Sequence, residues 1–157
     1  MLRKAYAHAP LDGEGAYRYG GRWSSAGTRL AYTSEHQSLA MLEYFVHLEA
    51  DDAPPDLVLV TAEIPDGVAS QRVTEEELPP LWRRSPAPAE LARIGDQFAE
   101  MGERCILIVP SALAPNENNW LLNPLHAGFH RIKVSGIEPL IYDPRMFDGQ
   151  RRKRRKR

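Results

Sequence analysis

The 157-residue sequence predicts an α+β fold in a single domain, long enough to bury one sizeable core. Three observations point there. Strand-like and helix-like stretches follow one another without regular βαβ alternation. No segment repeats internally, and neither GxGxxG nor GxxxxGK[ST] occurs, which argues against a Rossmann or P-loop phosphate turn. With 43% hydrophobic and 26% charged residues, the composition is that of an ordinary globular protein.

Residues 1–19 read as loop-rich, with Tyr17 and Tyr19 beside a glycine turn, and an edge strand is expected over Gly21 to Ser25. Arg29 to Thr33 is a short strand candidate. A helix follows over 35–49: Ser34 and Gln37 make a capping box, and the run contains neither Gly nor Pro. At 100° per residue, Leu39, Leu42, Val46 and Ala50 share one side of it. DDAPPD then breaks the chain, and LVLVTAEI at 57–64 is a strong strand signal.

Residues 65–90, rich in Pro and charge, read as a long surface excursion with one short helix capped by Thr74 and Glu77, and with Trp82 packed onto the core. Leu91, Ile94, Phe98 and Met101 recur at helical spacing over 89–101, and Gly102 supplies the stop. RCILIVPSA is a buried strand, APNENNW a polar loop leading into LLNPLHAGFHRIKV. Arg131 to Val134 and Pro139 to Tyr142 are two closing strands before the turn DPRMF.

Charge is unevenly spread. The formal net charge is -1, but RRKRRKR at 151–157 holds seven of the 20 Lys and Arg; the remaining 13 face 21 acidic side chains, a body charge of -8. An acidic body argues against a nucleic-acid-binding domain, whose affinity comes mainly from phosphate neutralisation. A module binding nucleic acid through the tail alone stays as the alternative from another class, although such charge blocks are commonly solvated extensions. No apolar run is long enough to span a bilayer and the N-terminus lacks the apolar centre of a secretory signal, so a cytoplasmic location is expected. The lone Cys105 has no disulfide partner and reads as a small core residue; five scattered His and no Cys pair give no zinc pattern, and no metal is expected.

Glu43 is the residue that asks for an explanation. It lies roughly 40° from Leu39 on the apolar side of its helix, where an unpaired charge is costly to desolvate. Either it pairs with a cation, such as His47 one turn on, or it lines a cleft. Arg22 in GGRWSSAG and Tyr32 in LAYTS stand nearby in sequence: a forked, permanently charged donor suited to phosphate, and a ring with a hydroxyl. An Arg in an ion pair and a Tyr in the core are the plainer alternatives.

GGRWSSAG, LAYTS, LAMLEYFVHL, LPPLWRR, IGDQF, ILIVPSA, NNWLLNPLHAGF and IYDPRMF, in this order, resemble the RES-domain toxins of RES-Xre toxin-antitoxin systems, over about Tyr17 to Phe147. The resemblance implies an ADP-ribosyltransferase-like fold, a split, mostly antiparallel β core flanked by helices, with residues 1–149 as the catalytic domain and 150–157 as a basic tail without counterpart. It implies NAD as substrate and a cognate Xre-like helix-turn-helix antitoxin as partner, any nucleic acid being met only through that antitoxin. It places the family's Arg, Glu and Ser at Arg22, Glu43 and Ser111, and its nicotinamide-side Tyr at Tyr32. By that resemblance Arg22, Tyr32 and Glu43 are catalytic, and Arg22, Tyr32, Ser111 and Asn123 bind the dinucleotide. Ser111 as a turn residue after Pro110, and Asn123 and His126 as residues that simply order their loop, remain open. Two positions depart from the family pattern: Ser24 where Asn is usual, and Ala127 where Pro is usual. The implied activity is cleavage of the nicotinamide-ribose bond with transfer to water or phosphate, or else mono-ADP-ribosylation of a host protein.

Overall fold

The computed structural model describes residues 1–48 and 54–147. Ten regular elements are found among them: β1 (Leu2–Arg3), α1 (Glu14–Tyr19), β2 (Ala31–Ser34), α2 (Gln37–Phe45), β3 (Leu57–Glu63), β4 (Ser70–Arg72), α3 (Ala89–Met101), β5 (Ile106–Pro110), β6 (Asn118–Leu122) and β7 (Lys133–Pro139). The strands form two sheets, as expected for a split α+β core: an antiparallel β1-β3-β7 and a four-stranded β2-β6-β5-β4 in which only the β4-β5 pair is parallel.

The continuous apolar run of β5 is explained by burial on both faces, all five of its residues being inaccessible. Ile106 and Ile108 point to one side, where they meet Ala31, Leu122, Ile132, Ala62 and Ile64. Leu107 and Val109 point to the other and pack with Trp23, Leu30, Trp82, Leu91, Phe98 and Leu121, so the amphipathic α3 and the excursion's Trp82 cover that face. A third cluster joins α2 to the three-stranded sheet through Met41, Tyr44, Phe45 and Leu48 against Leu57, Leu140, Tyr142 and Phe147. The Tyr142 hydroxyl donates to the Met41 carbonyl at 2.6 Å, fastening the chain's end to this helix.

Several expectations are corrected. The second helix is 37–45, shorter than 35–49; its chain leaves through tighter bonds, His47 N to Tyr44 O and Leu48 N to Phe45 O. Its packed side is Met41, Tyr44, Phe45 and Leu48 together with the buried Leu39, while Val46 is half-exposed; Glu49 and Ala50 lie outside the described residues, as does the basic tail. Ser34 does not cap it, because its hydroxyl donates across the sheet to Asn119; His36 takes the cap position. Gly21 to Ser25 is a tight turn with one bridge, Gly21 to Ser24, rather than a strand.

The polar NNWLL is strand β6, held in the sheet centre by neighbours on both sides, a case of tertiary pairing overriding a polar composition. SQR forms β4 for the same reason. The two closing strands are one, β7, ending at Pro139; beyond it Leu140 N still donates to Leu57 O of β3 at 2.9 Å, and Leu140 and Tyr142 are buried. Thr74 N donates to Glu77 at 2.6 Å in the expected short helix of the excursion, and α3 has the expected limits, with Gly102 in the left-handed conformation at its end. Among the described residues, no helix is long and apolar enough to cross a membrane.

Pairing sets one face of the four-stranded sheet. Tyr32 opposes Leu121 and Ser34 opposes Asn119, so these two side chains of β2 and two of β6 share a face with Leu107 and Val109. Beyond the end of β5, Ser111 continues the same alternation.

Candidate active site

At the polar end of that face the structure gathers Arg22, Tyr32, Glu43 and Ser111. Arg22 is delivered by the turn after α1. Gly20 sits at φ 69°, a conformation that favours glycine, and Gly21 N bonds Ser24 O at 2.8 Å. A Cβ on Gly21 would lie 2.7 Å from the Tyr32 hydroxyl oxygen, so the turn can settle on that hydroxyl only without a side chain there.

The same turn is locked from behind by α3. Gly95 lets the helix approach so closely that a Cβ there would fall 1.8 Å from the Trp23 carbonyl oxygen. Asp96 accepts from Ser25 N at 2.9 Å and Thr28 Oγ1 at 2.7 Å, while Trp23 is buried beside Trp82. IGDQF, which carries part of the resemblance, is thus the brace of GGRWSSAG.

The Arg22 guanidinium leans on the excursion. Nη1 donates to Trp82 O at 2.7 Å and to Arg84 O at 3.2 Å, and Nη2 to Arg84 O at 3.2 Å. Burial pulls its pKa below the ordinary value, and the Glu43 carboxylate and Tyr32 act on it in the opposite sense, which puts all three in one electrostatic neighbourhood. An Arg stays cationic under such a shift.

Tyr32 keeps 40% of its surface exposed, yet its hydroxyl is fully engaged: Trp23 N donates to it at 3.0 Å and Ser24 Oγ lies 2.9 Å away. Burial raises its pKa, against the hydrogen bonds from Ser24 and Trp23; the hydroxyl is a neutral anchor and the ring is what faces outward. Ser24, one of the two family departures, therefore holds the Tyr32 hydroxyl.

Glu43 is reached by neutral donors rather than by His47. Its Oε1 accepts from Ser111 Oγ at 2.9 Å and from Asn119 Nδ2 at 2.6 Å. Its Oε2 has no partner among the described residues and is not among the buried unpaired atoms, so it remains open to solvent. One oxygen is clamped and the other presented, the arrangement a site needs if the carboxylate is to meet a ligand without moving.

Ser111 is 1% exposed, and its hydroxyl, while donating to Glu43, accepts from Leu113 N and Ala114 N, both at 3.1 Å. It belongs to the site through Glu43. Asn123 stands apart, just past the other end of β6, about 13 Å along the strand from Asn119 at the usual rise per residue. Its Oδ1 accepts from Leu125 N at 3.0 Å and its Nδ2 points to Ala99 O at 3.5 Å. His126 Nδ1 accepts from Gly128 N at 2.9 Å, so NPLHAGF orders a loop, and Ala127 begins a short helical turn there without the family's Pro.

Sequence reasoning missed Asn119 and Ser34. Treating NNWLL as a strand would have revealed them, since Asn119 falls two residues before the core Leu121 and hence on the same face. The carbonyls of Trp82 and Arg84 carry no sequence signal. A cavity of about 310 Å³ opens over the β5-β6 connection, between Arg72, Glu75, Asn116 and Glu117; none of the five candidate residues lines it. Among the described residues no group of three His, Cys, Asp or Glu gathers as metal ligands.

Comparison with known proteins agrees with the site's sequence context. The RES domain family model matches residues 1–143. A protein from Sphingobium sp. (strain YBL2) named Prs ADP-ribosylating toxin is 36% identical over 145 residues, 91% of this chain and 90% of its own length. Proteins named Toxin Res from Yersinia enterocolitica and Pseudomonas putida are each 36% identical, covering 93% and 94% of this chain and 96% and 99% of theirs.

Proposed function

This chain belongs to the RES-domain family, and we propose that it is a toxin that consumes NAD by cleaving the nicotinamide-ribose bond, with residues 1–149 as the catalytic domain. The observation that carries this reading is the Glu43 carboxylate, clamped through Oε1 with Oε2 left free, within electrostatic reach of the Arg22 cation. As the C–N bond breaks, its electron pair leaves with nicotinamide and positive charge develops on the ribose, an oxocarbenium-like state. Glu43 accepts a ribose hydroxyl and stabilises that charge electrostatically; an oxygen of water or phosphate then bonds to the anomeric carbon and gives up its proton to solvent. Arg22 holds the diphosphate, and the Tyr32 ring lies against the nicotinamide. Ser111 acts by fixing Glu43. The split sheets support an ADP-ribosyltransferase-like fold for this task.

The test is incubation of purified, partner-free protein with NAD, with and without phosphate, followed by chromatography of the products. Glu43→Gln should remain folded and lose about 100- to 1000-fold in turnover, the effect of removing one preorganised electrostatic group, about 3 to 4 kcal/mol. Unchanged turnover would remove Glu43 from the mechanism.

The Sphingobium relative's name favours a second reading, mono-ADP-ribosylation of a protein acceptor. Labelled NAD separates the two: label on a protein supports transfer, small products alone support degradation. The relatives named Toxin Res suggest a cognate antitoxin, which we take to be Xre-like, with a helix-turn-helix domain.

A further inference from the structure

Building on that reading, we infer that Asn119 is the positioning residue of the reaction, setting which oxygen of Glu43 faces the ribose. Its side chain sits between two groups that fix its orientation. The Ser34 hydroxyl donates to Oδ1 at 2.6 Å, and Nδ2 donates to Glu43 Oε1 at 2.6 Å. A hydroxyl has a proton to give and a carboxylate has none, so the amide is held with its oxygen to Ser34 and its nitrogen to Glu43.

Strand register makes this possible: Ser34 and Asn119 are direct cross-strand partners in β2 and β6. Ser111 adds a second donor to the same Oε1. With two donors on one oxygen, the carboxylate plane is fixed and Oε2 is the oxygen left for the ribose. The amide suits these neighbours because it accepts from the hydroxyl through one atom and donates to the carboxylate through another at once. An Asp would set a second carboxylate against the first.

A positioning residue acts on the chemical step more than on ligand affinity. Asn119→Ala should therefore lower kcat for NAD about 10- to 100-fold, with KM within about twofold, the scale of loss when a reacting group is misplaced by about 1 Å. Asn119→Asp should lower kcat at least as far at neutral pH. Ser34→Ala, which leaves the Asn119 to Glu43 bond in place but frees the amide to turn, should cost about 3- to 10-fold by the same argument, and Ser34→Thr, which keeps the hydroxyl, should restore most of it. Ser34 lies at the sheet edge, so its pair of variants reports on the relay if Asn119 variants fold poorly. Three results overturn the inference in distinguishable ways. If Glu43→Gln is inactive but Asn119→Ala and Ser34→Ala keep wild-type kcat, the positioning role is wrong and the catalytic reading stands. If Asn119→Ala raises KM with kcat unchanged, the residue binds substrate instead. If wild-type protein leaves NAD intact, the underlying reading falls and takes this one with it.

Discussion

Glu43 is held by side-chain donors, Ser111 and Asn119, that strand pairing and the turn after β5 bring to it, whereas Arg22 rests on main-chain carbonyls of Trp82 and Arg84. The acid side is a small relay of polar side chains at the end of a sheet face, joined to a core that is complete without it. The cation side is a turn wedged between α3 and the excursion, with Trp23 and Trp82 buried as part of that wedge. Changes on the acid side should therefore be felt in chemistry, and changes on the cation side first in stability. That contrast can be broken by experiment.

Gly95→Ala should have the largest effect on folding. Its methyl group would have to occupy the space of the Trp23 carbonyl oxygen, 1.8 Å away, so α3 and the turn must separate along a buried contact. Overpacking of this kind costs about 1 to 3 kcal/mol, and backbone against backbone belongs at the upper end. Thermal melting checks it, and an unchanged midpoint would mean the wedge does not support the turn.

Arg22→Lys keeps the charge and loses the fork. Carbonyl oxygens of residues 82 and 84 are both bonded by one planar group, which a Lys ammonium cannot match in position. A loss of about 1.5 kcal/mol in chemical denaturation is expected, the lower end for a hydrogen bond to a charged group because Arg22 is only half-buried. Equal stability with reduced NAD affinity would show instead that the guanidinium serves the ligand alone.

Tyr32→Phe sharpens the comparison, because this residue bonds the Arg22 turn from the strand that also carries Ser34. Phe keeps the exposed ring but strands Trp23 N and the buried Ser24 hydroxyl. The expected cost is about 1 kcal/mol of stability, with NAD turnover reduced less than threefold as long as the ring is the working part, whereas Tyr32→Ala should lose most turnover at similar stability. Equal loss of turnover in both variants would assign the work to the hydroxyl.

The scaffold was more legible in sequence than the relay. α3 announced itself by helical spacing from Leu91 to Met101 and a terminal glycine, and β5 by its unbroken apolar run, because local pattern and burial agree there. Glu43, Arg22 and Tyr32 stand out by residue chemistry and position and Ser111 by family resemblance; these four share one end of the sheet face, whereas Asn123, expected with them, orders its own loop. Asn119 and Ser34 were not named, since a polar NNWLL looks like a loop until two neighbouring strands satisfy its backbone. The same blindness explains Ser34: its capping-box spacing with Gln37 is a local signal, and the cross-strand partner that wins its hydroxyl is 85 residues away.

Asp96→Asn should have the smallest effect, and one visible only as a pH dependence. Partial burial alone would raise the Asp96 pKa, but hydrogen bonds from Ser25 and Thr28 outweigh it and hold the carboxyl below the ordinary 3.8. A depressed folded-state pKa stabilises the fold above the unfolded value, and that contribution is lost as pH falls through the folded one. Both donors meet Oδ1, an atom that Asn retains, so the substitution keeps the contacts and removes the charge. Wild type should exceed Asp96→Asn by under about 1 kcal/mol between pH 5 and 8, as expected for a partly exposed group, and the gap should close as pH falls through the depressed folded-state pKa and the carboxyl becomes neutral. Denaturation midpoints across that range decide it. A gap that persists undiminished in acid would mean that shape, not charge, ties the Arg22 turn to α3.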